Sequence, residues 1–62
     1  MSFKSARKAA GLTMRQAADR LGISAAAVAQ WESGATSPRA KYLLALAALY
    51  GVSVDELLAD RE

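Results

Sequence analysis

In this 62-residue chain Gly11, Gly22 and Gly51 are each followed two positions later by a hydroxyl residue: Thr13, Ser24 and Ser53. Glycine ends a helix because it accepts the left-handed conformation found there, and a serine or threonine oxygen caps the amides that open the next one. Gly34 closes a further segment, and Ser37-Pro38 reads as an N-cap with proline at the first helical position. Thr13 with Gln16 and Ser53 with Glu56 have the spacing of reciprocal capping boxes. This punctuation predicts five short helices over about 2–10, 14–21, 25–33, 38–50 and 54–60. No alternating β-branched run competes with it, so the expected class is all-α. No linker or repeat divides residues 1–62, which read as one domain.

Helices this short are unstable alone, so packing must hold them. The chain has no cysteine, hence no disulfide or thiolate metal site. Although 53% of it is hydrophobic, much of that share is alanine, which favours helix but buries little area. Helical spacing assigns inward faces to Phe3, Ala6 and Ala10, then to Ala17, Ala18 and Leu21, then to Val28 and Trp31. Leu43, Leu46, Ala47 and Tyr50 follow on the fourth helix, with Val52, Val54, Leu57 and Leu58 at the end. Arg7 and Glu32 share those inward faces. A buried charge is costly unless paired, so the two are predicted to form an ion pair between helices 1 and 3. Asp55 and Glu56 need no functional reading, because the dipole of a helix favours acids in its first turn. The fourth helix is apolar nearly all round, with Tyr42, Leu44, Ala48 and Leu49 on its flanks and back. A chain of this length has no second layer to cover them, so these four residues are expected to form a homodimer interface.

Thr13 to Gly34 carries the functional signal. Ala18, Gly22 and Val28 fall at spacings of four and six. A small residue where two helices touch, a glycine at the bend and a valine aimed into the angle suit two helices crossing steeply. That is the helix-turn-helix arrangement, whose second helix is offered to the DNA major groove.

Taken with Gly11-Leu12-Thr13, Trp31-Glu32-Ser33-Gly34, Pro38, Leu46-Ala47 and Gly51 to Leu58, these residues resemble the phage repressor and Cro family of XRE-type, lambda-repressor-like domains. The resemblance covers essentially the whole chain. It implies a compact five-helix fold that binds operator DNA as a symmetric dimer with helix 3 in the major groove. It also implies an Arg–Glu pair at Arg7 and Glu32. Two features depart from the family. Met14 stands where many members have a glutamine that touches DNA, and the outward face of helix 3 reads Ala25, Ala26, Ala29, Gln30 and Ser33. Gln30 alone has the reach and the donor–acceptor pair to read an adenine edge; the three alanines offer contact with thymine methyls. Backbone phosphates are expected on Arg15, Ser24, Ser33, Thr36, Arg39 and Lys41, so that affinity is mostly salt-dependent and sequence-blind.

Charge placement agrees. Residues 1–41 carry seven bases against Asp19 and Glu32, an excess of five positive charges, whereas residues 42–62 carry Arg61 against four acids. A basic face with an acidic end suits a chain laid on a polyanion. Histidine and cysteine are absent, and neither a glycine-rich phosphate loop nor a metal-ligand cluster occurs. An enzyme, a metal, a cofactor and a small-molecule substrate are therefore not expected. Neither a signal peptide nor a membrane span is legible, and a cytoplasmic location is the expectation. Sequence-specific binding of double-stranded DNA by a repressor, controller or antitoxin-like regulator is the function these features favour. The competing reading is a protein-interaction module on the same fold that uses the apolar face of helix 4.

Overall fold

The computed structural model describes residues 2–59. Five helices follow in order: α1 (Phe3–Ala9), α2 (Met14–Leu21), α3 (Ala25–Ser33), α4 (Ala40–Tyr50) and α5 (Val54–Ala59). No strand occurs among the described residues. Residue 60, placed in the fifth helix by the sequence reading, lies outside them.

The glycine–hydroxyl punctuation has one hydrogen-bond chemistry throughout. Beyond each glycine an amide reaches back five residues: Leu12 to Arg7 at 3.2 Å, Ile23 to Ala18 at 3.0 Å, Ala35 to Gln30 at 3.0 Å and Val52 to Ala47 at 3.0 Å. These bonds satisfy carbonyls that a helix end would otherwise leave open. Gly22 adopts φ 71° and ψ 32°, a conformation costly for any residue with a Cβ. A Cβ there would meet nothing within 4 Å, so glycine is required by the backbone and not by crowding. Thr13 and Gln16 exchange capping bonds of 2.9 and 3.0 Å, as do Ser53 and Glu56. The Ser53 amide and hydroxyl hold the Glu56 carboxyl below its usual range.

Two starts differ from expectation. α1 begins at Phe3 because Ser2 and Ser5 form a capping box of their own. α4 begins at Ala40, not at Pro38: Arg39 is its N-cap, with no side-chain cap bond, and its carbonyl takes the first helical bond from the Leu43 amide at 2.9 Å. The fixed φ of Pro38 serves an extended segment as well as a helix start.

The core consists of Ala6, Ala17, Leu46, Ala47, Tyr50 and Leu57, flanked by half-buried Phe3, Leu12, Leu21, Trp31, Leu43, Leu49, Val52 and Val54. Val28 is fully buried between α2 and α3, whose close approach depends on Ala17 and Ala18, both 0% exposed. Burial drives the Tyr50 phenol up to about 12, with the Glu32 charge adding to the shift, so it stays protonated well beyond the ordinary tyrosine range. Two assigned core positions are exposed instead. Ala10 lies past the end of α1, and Leu58, one residue round from buried Leu57 on a short helix, faces solvent.

One ion pair joins α1 to α3. Arg7 Nε donates to Glu32 Oε2 at 2.7 Å and Nη2 donates to Oε1 at 3.2 Å, while Nη1 donates to the Leu12 carbonyl at 2.8 Å. Both side chains are over nine-tenths buried. The Glu32 hydrogen bond raises the Arg7 pKa against the opposing effect of burial.

Removing one partner strands a buried charge, so Arg7→Met and Glu32→Leu should each lose about 3 kcal/mol in urea unfolding. The double variant should recover most of that loss. Gly22→Ala should lower stability by about 1 kcal/mol, seen as a Tm decrease of ~4–8 °C, and Gly22→Asn by less.

Candidate nucleic-acid interface

α3 is buried on one side by Val28 and open on the other. Its serine cap fixes where it begins: Ser24 Oγ accepts from the Ala27 amide at 3.2 Å. The amides of Ala25 and Ala26 precede the first intrahelical bonds, so this end of the helix presents donors and the positive pole of its dipole. Ala26, Gln30 and Ser33 are exposed at helical spacings of four and three, while Ala25 and Ala29 are half-buried beside them. No other part of the described chain covers Gln30.

Each expected phosphate contact has a definite setting. Arg15, the second residue of α2, faces Asp19 at 3.9 Å, with both side chains more than 70% exposed. An exposed pair that long holds its arginine weakly, so Arg15 can turn to another anion. Arg39 is exposed at the start of α4 and makes no cap bond. Lys41 is exposed, with Nζ 5.1 Å from the centre of the Tyr42 ring. Ser24 is engaged as a cap. Ser33 Oγ donates to the Gln30 carbonyl at 3.1 Å and accepts from the Ala35 amide at 3.4 Å. Thr36 is exposed, and its amide donates to the Gln30 carbonyl at 3.4 Å. The arginines are thus the most readily available groups of this set.

The flanks of α4 separate into two kinds. Leu44 is 63% exposed and Ala48, one turn on, is exposed as well. Tyr42 is half-buried, its ring 5.8 Å from that of Trp31 at 38°, and Leu49 packs against the core cluster. Tyr42 therefore serves the fold of its own chain, and the open part of the expected dimer surface is Leu44 with Ala48.

Lys4 was not singled out by sequence reasoning. It lines a shallow hollow with Met14, Ala29 and Ser33 above the Arg7–Glu32 pair. Its spacing of three from Arg7 was the available signal, since it puts both on neighbouring faces of α1. Among the described residues, no group of three histidine, cysteine or acidic side chains is arranged to hold a metal, and no helix is long and apolar enough to cross a membrane.

Comparison with known proteins agrees with this architecture. The helix-turn-helix family model matches residues 3–57. The HTH-type transcriptional activator BcrR of Enterococcus faecalis is 36% identical over 56 residues, which cover 90% of this chain and 28% of that protein. The chain thus spans under a third of the length of this relative. No solved structure matches. With the glycine bend at Gly22, the packing of α2 against α3 and the family match in agreement, the chain belongs to the XRE-type helix-turn-helix family.

Proposed function

We propose that this chain is the DNA-binding part of a transcriptional regulator and that α3 enters the major groove of double-stranded DNA. The observation that carries the reading is the exposure of Gln30, between Ala26 and Ser33, on the side of α3 opposite buried Val28. Gln30 is the long side chain on that face able to pair with both N6 and N7 of adenine. Arg15 and Arg39 anchor the phosphate backbone, joined by Lys41, Ser24, Ser33 and Thr36. Because direct readout is confined to so few groups, DNA shape and half-site spacing supply much of the specificity. Two copies joined through Leu44 and Ala48 would set that spacing. Occupying an operator in this way suits a repressor or controller.

The strong exposure of Leu44 also favours a second reading, a protein-interaction module in which α4 is the working surface. Salt separates the two. Neutralised phosphates release counterions, so affinity for random duplex DNA should fall steeply between about 50 and 200 mM salt. Binding too weak to detect at either salt would favour the interaction module. On a selected site, Gln30→Ala should relax preference at one position per half-site by about 1–3 kcal/mol. Arg39→Ala should weaken all sequences alike and reduce the salt slope by about one. Sedimentation of Leu44→Asp, which should be monomeric where the parent self-associates, tests the dimer.

A further inference from the structure

Met14 is a large exposed hydrophobic residue that packing does not explain. Of the other two, Leu44 lies on the open face of α4 and Leu58 turns out from the end of α5. Met14, 37% exposed, is instead the first residue of α2, at the edge of the surface that α3 offers. It lines a hollow with Ala29 and Ser33 of α3 and Lys4 of α1, and the floor is the Arg7–Glu32 pair. That floor is already engaged: the Glu32 carboxylate takes two bonds from Arg7, which spends its third on the Leu12 carbonyl. Ser33 Oγ is committed to the end of its own helix. Apart from the Lys4 ammonium, what remains for a visitor is a thioether and an alanine methyl, neither of them a useful hydrogen-bonding group.

The setting of the hollow limits its occupant. Gln30 follows Ala29 directly, Arg15 follows Met14, and Lys4 supplies a cation at the rim. Apolar walls beside an adenine-reading glutamine and phosphate-seeking cations match one feature of a duplex. The C5-methyl group of thymine is the apolar element in the pattern of the major groove, and 5-methylcytosine carries the same group at the same place.

We propose that Met14 and Ala29 form a reader of C5-methyl pyrimidines, and that Met14 is a specificity-determining residue. The proposal rests on the reading of α3 as the groove-binding helix. The Met14 thioether gives this end of α2 a preference for a methyl group over a hydrogen-bonding edge.

The test uses the protein with its best duplex from a random library, measured by fluorescence anisotropy. Each thymine is replaced in turn by deoxyuridine, which lacks only the methyl. One position per half-site should lose about fourfold in affinity, the factor expected for burying one CH₂-sized group. Cytosine at that position should bind more tightly once methylated at C5. With Met14→Gln and Met14→Ala, the thymine-to-deoxyuridine ratio at that position should fall towards one, which distinguishes contact from an effect of uracil on DNA shape. Equal affinity for thymine and deoxyuridine at every position, with salt-dependent binding intact, would overturn the methyl reader alone. A ratio that survives in both Met14 variants would overturn it too. Failure to bind any duplex would instead overturn the reading on which it rests.

Discussion

One arginine reaches three acceptors on two elements. Arg7 grips both oxygens of Glu32 on α3 and the carbonyl of Leu12, where the chain turns from α1 into α2. Alanine contributes much of the core, and alanine buries little area, so apolar packing alone fixes the helices loosely. A buried bidentate pair adds direction. It is stable only at one separation and angle, and breaking it leaves a charge without water or partner. The pair therefore specifies where α3 sits against α1, and with it which side of α3 faces outward.

The helix ends do the rest of the positioning. The bond from the Ile23 amide to the Ala18 carbonyl closes α2, and the Ser24 cap opens α3 two residues beyond Gly22. A turn so short leaves few relative orientations for the two helices, and Ala17 and Ala18 let them meet closely. The same economy leaves the outward side of α3 sparse in polar groups. Ala25, Ala26 and Ala29 are small, and they leave Gln30 as the principal donor and acceptor on that side. On this view the protein combines strong placement on the phosphate backbone with few base contacts, some of them apolar.

Features settled by local chemistry were legible in the sequence. Thr13 with Gln16, Ser53 with Glu56 and the glycine ends involve residues within a few positions of each other, so spacing alone identifies them. Arg7 and Glu32 were legible because charged residues on two inward faces have few affordable arrangements. The misreadings involve residues whose chemistry admits two outcomes. Ser5 at the third helical position lacks the length of the usual glutamate or glutamine, which hid the cap it forms with Ser2. Ser37-Pro38 suits a helix start and an extended strap equally. For Leu58, the shortness of α5 decides the outcome, and periodicity does not convey it.

The central claim is that the outward side of α3, held by the Arg7–Glu32 pair and the Gly22 bend, is the surface that meets DNA. Backbone amide chemical shifts recorded while duplex DNA is added test it most directly. The largest changes should fall on Arg15, Ala25, Ala26, Gln30 and Thr36, with Asp55 and Glu56 of the acidic α5 little affected. Changes concentrated on α4 and α5, with Gln30 and its neighbours unmoved, would contradict it.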